Sequence, residues 1–390
     1  MKNANYSIDH YGYLKRLFLK LTKPSWSIET SRFVPSDQLY FLNNKAVNLS
    51  VLFKYFRRLF FFKLKGNDKY LLSQIPKSAK RLLWINLSAP SIGDVLMDLS
   101  GRVLLKGYDL DVLIQSKASE LLVDDEYFKN IYKTAEKARL SHLQHPYDLI
   151  IVDSFSPWIL KVKNVIAPKT PFVGMWGFLN GYEVHRTIYS FERLKKLISL
   201  DSRKYKVSLK PSLGLICRSE KTTSRNGVCK IGFAIGGEWA SRTYDKWDQV
   251  IKSLDGIPCE IFLLGSENGA LEADLIAAHN PLFYNFVGKR TLKETAQIIS
   301  GLDLFVAADG GLWHVACALN KPSVSLFSGV LLFGADGMRL LKRDTKDINC
   351  IGLYDEFAVS NISPGLIVEA IKKQMRKIRI VTEAKHGSVK

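Results

Sequence analysis

Paired cysteines, long apolar runs and acidic side chains are scarce in this chain, and each shortage closes off a class of protein. The five cysteines, Cys217, Cys229, Cys259, Cys317 and Cys350, are odd in number and form no C-x-x-C pair. That excludes a disulfide framework or a zinc site and fits a reducing cytoplasm. No apolar run approaches the roughly 20 residues of a membrane span. The first apolar stretches are short and broken by Lys and Arg, unlike a signal peptide. Only 37 Asp and Glu stand against 56 Lys and Arg, for a formal charge of +19. A basic balance of this size points to nucleic acid, acidic lipid or a phosphorylated substrate as partner. No nucleic-acid-binding module is visible in the sequence.

The excess charge is uneven. Residues 1–80 hold 11 Lys and 4 Arg against 3 Asp and 1 Glu, a net +11, which leaves +8 for the remaining 310 residues. Within this segment LKRLFLKLTK (14–23) and VLFKYFRRLFFFKLKG (51–66) mix basic and aromatic residues. Two readings compete for them: helices lying on an anionic membrane surface, or helices packed on the body of the protein with their charges in water.

From Arg81 the texture becomes that of alternating strands and helices. RLLWINLS (81–88), DVLIQS (111–116), YDLIIVDSF (147–155), NVIAP (164–168) and PFVGMWGF (171–178) read as strands. IGDVLMDLSGRVLLKG (92–107) and YSFERLKKLISL (189–200) read as helices. After a polar stretch at 201–227 the pattern restarts. KIGFAIG (230–236), EIFLLGS (260–266) and LFYNFVG (282–288) are expected strands, and YDKWDQVIKSL (244–254), ENGALEADLIAAHN (267–280) and TLKETAQIISGL (291–302) expected helices. Thr291 with Glu294 has capping-box spacing. Ser363-Pro364 opens a last amphipathic helix. Two successive doubly wound α/β halves follow, with ligands expected outside the carboxyl ends of their strands.

The stretch Leu304–Ser328 concentrates the chemistry. LFVAA reads as a strand buried on both faces. Asp309-Gly310-Gly311 breaks it, and a short helix carries Leu312, Val315, Ala316 and Leu319 at helical spacing before the strand VSLF. The first amides of a helix lack internal partners and carry the positive end of its dipole, so this turn suits a phosphate or diphosphate. His314 adds a donor, and Asp309 an acceptor for a sugar hydroxyl. The plainer reading is a strand-to-helix loop with a capping Asp and a solvated His.

Three stretches resemble the ADP-heptose–lipopolysaccharide heptosyltransferases. SIGDVLMDLS (91–100) resembles their first loop and helix, FAIGGEWASRTYDKW (233–247) their glycine-rich stretch, and ADGGLWHVACALNKPSVSLF (308–327) their D-[TS]-G-x-x-H signature. The resemblance covers about residues 81 to 380. It implies an α/β GT-B fold of two facing Rossmann-like domains: an acceptor domain at 81–205, a nucleotide-sugar domain at 206–360 and a tail helix at 361–390, behind a basic extension at 1–80. It implies an inverting, metal-independent glycosyltransferase without cofactor that moves heptose or a related sugar from an ADP-linked donor to a lipopolysaccharide core or other surface glycan. Asp94 stands where the family has its general base, against a structural first-turn Asp. Asp309, Gly310, Gly311 and His314 fall in the donor signature, with Gly310 replacing the usual Thr or Ser. Arg242 takes the place of a phosphate-binding Lys, against a solvated loop charge. Glu267 resembles the acid facing the nucleotide, against a helix-start Glu. DLD (109–111) is discounted as a metal motif because it begins a strand after a helix. Met97, Ser100 and the SGVLLFG after SLF depart from the family and put the sugar and the acceptor in question. The alternatives are a two-Rossmann transferase with another donor, or a sugar-nucleotide-binding or glycan-assembly protein without catalysis. A lipid-linked acceptor makes a cytoplasmic enzyme, peripheral at the inner membrane through residues 1–80, the expected arrangement.

Overall fold

The computed structural model describes residues 49–89, 91–178, 186–199, 228–278, 283–328 and 350–387. The chain separates into two compact units, one running to Pro90 and over Met97–Leu209, the other made of Ser91–Leu96 and Lys210–Lys390. The segment LKRLFLKLTK and the polar stretch at 201–227 lie outside the described residues.

Among the described residues the first unit holds, in chain order, helix α1 (Leu49–Leu64), β1 (Arg81–Ile85), α2 (Ile92–Asp98), β2 (Asp109–Leu113), β3 (Asn130–Tyr132), α3 (Ala135–Gln144), β4 (Leu149–Val152), α4 (Pro157–Ile166), β5 (Phe172–Gly174) and α5 (Arg186–Leu197). The first residues of α2 pack with the second unit. The sheet order is β3-β2-β1-β4-β5, and every pairing is parallel. β1 and β4 are apolar along nearly their whole length and buried, as strands covered on both faces must be. NVIAP is not a strand: Asn164, Val165 and Ile166 close helix α4, which Pro157 opens behind the Ser156 cap. A short apolar run does not by itself separate helix from strand. β3 and α3 escaped the sequence reading. β3 is three residues long, and α3 buries only Ala138, so neither writes a periodic pattern.

The discounted DLD is structural. Asp109 and Asp111 sit at the amino end of β2. Asp111 accepts from Arg81 Nη2 at 3.1 Å, Tyr147 Oη at 2.9 Å and Asn130 Nδ2 at 2.9 Å. Ligands of such sheets bind at the opposite, carboxyl end.

α1 is a two-faced helix. Phe62 is buried and meets the rings of Phe155, Phe172 and Phe178 at centroid distances of 5.4, 6.3 and 5.2 Å, and Arg58 donates to the Phe178 carbonyl. Phe53, Phe56, Phe60 and Leu64, spaced by three and four on the other side, are exposed. One aromatic of 51–66 therefore packs on the body of the protein, and the stripe opposite faces outward.

The second unit repeats the design with β6 (Cys229–Ala234), α6 (Trp247–Lys252), β7 (Cys259–Leu264), α7 (Ala270–Ala277), β8 (Phe283–Asn285), α8 (Leu292–Gly301), β9 (Leu304–Ala308), α9 (Gly311–Ala318), β10 (Ser323–Ser328), β11 (Cys350–Asp355) and α10 (Pro364–Gly387). Its six strands are parallel in the order β11-β10-β9-β6-β7-β8. The capping box forms as the spacing predicts: the Glu294 N–H donates to Thr291 Oγ1 at 3.2 Å, and the Thr291 N–H to Glu294 Oε2 at 2.8 Å. β9 and α9 start where the apolar pattern puts them, and α10 opens at Pro364 and runs to Gly387. α10 buries Ile367, Val368, Ala370 and Ile371 in the same core as Ile231, Phe233 and Val306. β11, among the strands, was not foreseen.

Candidate functional site

The site lies at the carboxyl end of the second sheet and is assembled by the turns after β6, β7, β9 and β10. After β9 the chain leaves the sheet at Asp309, whose N–H still donates to the Leu326 carbonyl of β10 at 2.9 Å. Gly310 is extended and Gly311 opens α9. A side chain at Gly310 would meet only the Ala308 carbonyl at 3.8 Å, so the loss of a Thr or Ser there removes a hydroxyl without being required by space. At Gly311 a Cβ would lie 3.2 Å from Ile92 Cδ1.

α9 differs from the stripe expected of it. Trp313, His314, Val315, Ala316 and Cys317 are all buried, so the helix is covered round its circumference rather than along one face. His314 is therefore not a solvated loop histidine. Its Nε2 lies 3.8 Å from Asp309 Oδ1, and Arg242 Nη1 lies 3.7 Å from Asp309 Oδ2. Asp309 thus stands between an imidazole and a guanidinium, with both it and His314 only 9% exposed and Arg242 at 37%. Arg242 ends a short 3₁₀ segment, Ala240–Arg242, and its N–H donates to the Trp239 carbonyl at 2.8 Å. The Ser328 hydroxyl at the end of β10 donates to the Ser241 carbonyl next to it. Ser328 and Ser241 fall inside the quoted stretches but carry no signal of their own, because serine is too common in turns and at strand ends.

Asp94 reaches the same unit. Ser91–Leu96 pack with it, and a Cβ on Gly93 would fall 2.3 Å from His314 Cδ2. Only glycine lets the α2 backbone approach the imidazole that closely. Asp94, the next residue, is half-buried, and its Oδ2 accepts from Ser91 Oγ at 2.8 Å while its own N–H donates back to that hydroxyl at 3.2 Å. Asp94 thus also serves the structural role weighed against catalysis, that of a first-turn carboxylate favoured by the helix dipole. Glu267 is exposed in the turn after β7, two strands from β9. The neighbouring Asn268 Nδ2 donates to the Gly237 carbonyl at 2.8 Å, and Gly236 has φ +82, the left-handed region where glycine is at ease. Asp309, His314, Arg242 and the Gly93–Asp94 turn are thus gathered together, while Glu267 marks the far side of the same sheet end. Among the described residues no group of three or more His, Cys, Asp or Glu is placed to hold a metal.

Residues 184–330, from α5 to the end of β10, match the family described as glycosyltransferase family 9 (heptosyltransferase). The match spans the glycine-rich turn, Arg242, Glu267 and the Asp309–His314 stretch. No curated protein matches the chain. Among solved structures it is similar to E. coli ADP-heptose lipopolysaccharide heptosyltransferase II, at 20% identity over 76% of this chain and 99% of that one, with a TM-score of 0.60. It is similar to a family 9 glycosyltransferase from Veillonella parvula, at 14% identity over 78% and 100% with a TM-score of 0.60. E. coli heptosyltransferase WaaC, solved with ADP, is 14% identical over 75% and 99% with a TM-score of 0.58. At these identities the likeness is one of fold, the GT-B arrangement of two parallel-sheet units expected from the sequence.

Proposed function

We propose that this protein is a family 9 transferase that moves a heptose or a related sugar from an ADP-linked or similar nucleotide sugar to a lipopolysaccharide core or other surface glycan. The observation that carries the reading is Asp309 held between Arg242 and His314 at the amino end of α9. The first amides of α9, the helix dipole and the Arg242 guanidinium would together take a diphosphate. Asp309 would accept from a sugar hydroxyl. A relative of the same fold was solved with ADP, which supports an adenine nucleotide as donor. A panel of nucleotide sugars in a thermal-shift assay tests this, since a ligand at about 100 times its dissociation constant adds about 2.7 kcal/mol. ADP-linked donors should raise the melting temperature and Gly311→Val should abolish the rise. Unchanged binding in that variant would place the donor elsewhere.

The transfer is proposed to invert the anomeric centre. Asp94 takes the proton of the acceptor hydroxyl as that oxygen attacks the anomeric carbon, and the diphosphate leaves from the opposite side. Negative charge developing on the leaving oxygens falls to the α9 amides and Arg242, so that the step runs without a metal and activity should survive EDTA. The Ser91–Asp94 contact favours one rival, a non-catalytic sugar-nucleotide binder in which Asp94 only caps α2. Asp94→Asn decides between them: donor binding should persist while transfer is mostly lost, and turnover near the parent rate would end the general-base role.

The protein is further proposed to work at the cytoplasmic face of an anionic inner membrane. The exposed stripe of Phe53, Phe56, Phe60 and Leu64 on α1 supports this, with Arg57, Lys63 and Lys65 exposed beside it. Basic side chains near an anionic leaflet contribute roughly 1 kcal/mol each and aromatics enter the headgroup boundary. No helix of the described residues is long and apolar enough to cross a membrane. The full chain should sediment with anionic vesicles at low salt and release at high salt. Replacing Phe53, Phe56 and Phe60 by Ser, which spares the core residue Phe62, should abolish sedimentation.

A further inference from the structure

The first unit holds a polar chamber that the reading of the donor site leaves unused. It lies at the carboxyl ends of β1 and β4, the neighbouring central strands from which the chain runs outward in opposite directions. In a doubly wound sheet that is where ligands enter. Its wall is made by Trp84 and Asn86 from β1 and its continuation, Asp98, Asp153 just past β4, and Trp176 and Tyr189, which stack at 3.8 Å. Four side-chain atoms on this wall are buried without a hydrogen-bond partner: Trp84 Nε1, both amide atoms of Asn86, and Asp153 Oδ1. Each residue is at most 2% exposed. An unsatisfied buried polar atom costs roughly 1 to 3 kcal/mol, so four around one chamber with room for a water identify a built polar site rather than a packing fault.

The donor set defines what fits. The indole N–H and the Asn86 amide N–H need an acceptor, and the Asn86 oxygen and Asp153 Oδ1 need a donor. A hydroxyl oxygen, which does both, satisfies this set. A metal ion would face the two N–H donors, and an anion would face the carboxylate. We propose that the chamber is a hydration site and that Asp153, hydrogen-bonded through it, is a proton-uptake group that governs the loop after β1. The lever is its second oxygen: Asp153 Oδ2 accepts from the N–H of Leu87 at 2.7 Å and from the N–H of Ser88. Proton uptake leaves a neutral acid that accepts those two bonds more weakly. The pair of serine hydroxyls beside it, Ser88 and Ser154 at 3.1 Å, keeps the loop in register with the end of β4.

Among the charges around the chamber, Asp98 acts in the same direction. Burial pushes the Asp153 carboxyl up to about 6, against the pull of the Ser88 and Leu87 N–H groups, with Asp98 adding to the rise. Asp98 is itself held by Arg186 of α5 through Nε at 2.8 Å and Nη2 at 2.5 Å. Tyr189 donates to the Met175 carbonyl at 2.7 Å and Arg193 to the Gly174 carbonyl at 2.8 Å. A carboxyl raised in the folded state binds its proton where the unfolded chain has released it. The group's contribution to folding stability therefore falls as pH rises from the ordinary value, about 3.9, toward the folded one, about 6.

The test is a carboxyl-carbon NMR titration of the full-length protein with labelled aspartate, the Asp153 signal being assigned by its loss in Asp153→Asn. Its midpoint should lie well above the ordinary aspartate value, and Asn86→Leu, which removes half of the water's partners, should move it upward by about half a unit or more. Should Asn86→Leu fail to fold, Trp84→Phe, which deletes only the indole donor, replaces it. In the parent, exchange protection of the Leu87 and Ser88 amides should fall relative to Leu82 and Leu83 between about pH 7.5 and pH 5.5. Asp153→Asn should lose that dependence. A midpoint near the ordinary value, no response to either chamber variant, or a high-resolution map with no water between Asn86 and Asp153 would overturn the proposal.

Discussion

Replacing Arg102 should damage the first unit more than replacing Arg102 and Asp125 together. Both side chains are fully buried. The guanidinium donates to Asp125 Oδ2 through Nε at 2.9 Å and Nη2 at 2.6 Å, and through Nη1 to the Leu99 carbonyl at 3.0 Å. Asp125 Oδ1 accepts the Tyr127 N–H at 3.0 Å. Burial raises the Asp125 carboxyl more than Arg102 lowers it, so the pair stands where desolvation outweighs attraction. Arg102→Met leaves the carboxylate with one amide donor in an apolar setting. Breaking a buried pair on one side costs about 3 to 5 kcal/mol, whereas replacing both partners with apolar residues is often neutral or better. The double variant Arg102→Met with Asp125→Leu should therefore recover most of the loss. The deficit of the single variant should shrink at acid pH, because a carboxyl raised in the folded state gains stability as it is protonated. The assay is hydrogen exchange of β1 and β4 peptides in the full chain, which reports on this unit alone and avoids treating a two-unit protein as a single transition. If the double variant is as unstable as the sum of the two singles, or if Arg102→Met costs less than about 1 kcal/mol, the reasoning about this pair is wrong.

Three further outcomes follow from the same structure. Gly93→Ala should displace the His314 ring, which a Cβ would meet at 2.3 Å, and weaken nucleotide-sugar turnover while leaving the melting temperature of the first unit unchanged; unaltered kinetics would show that the close approach is not needed. Lys163 is fully buried against Tyr70 and Phe172, donates to the Pro168 carbonyl at 2.8 Å and is lowered by burial to about 8. Because the unfolded chain holds that proton to a higher pH, stability should rise between about pH 8 and pH 10, and Lys163→Met should flatten the rise in denaturant midpoints. Thr291→Ala should cost about 1 kcal/mol by breaking the capping box of α8, read as lowered exchange protection in residues 292–296.

The parts of this protein legible in the sequence are those where one residue pattern has one structural use. LFVAA and LIIV are buried on both faces because parallel strands are, and they fold where their apolar runs lie. The Asp309–Gly311 break and the Thr291–Glu294 box sit at the positions their chemistry requires. The failures have equally local reasons. NVIAP is apolar enough for a strand, but Ser156 and Pro157 start a helix that carries through it. Strand β3 is recruited by its neighbour β2 rather than by its own three residues. The plainer reading of His314 as a solvated loop histidine fails, because His314 is buried on a helix whose neighbours Trp313 and Cys317 are buried too. The approach of Gly93 to His314 joins positions more than 200 apart in the chain, and no single-sequence pattern carries such a pairing. The Asp153 chamber was invisible for another reason: its Asp, Asn and Trp are ordinary residues whose missing partners appear only once the fold is built.

The position of α10 sets an order on the birth of the protein. Ile367, Val368 and Ile371 complete the core that β6 begins at Ile231 and Phe233, so β6 waits for α10 before its apolar side is closed. Chains emerge at roughly 5 to 20 residues per second and domains fold as units. Between release of β6 and arrival of α10 the second sheet is therefore an unfinished surface, while the strands β1 to β5 are already available to pair. A ribosome stalled before Pro364 would hold a folded first unit and a second one still in need of a chaperone.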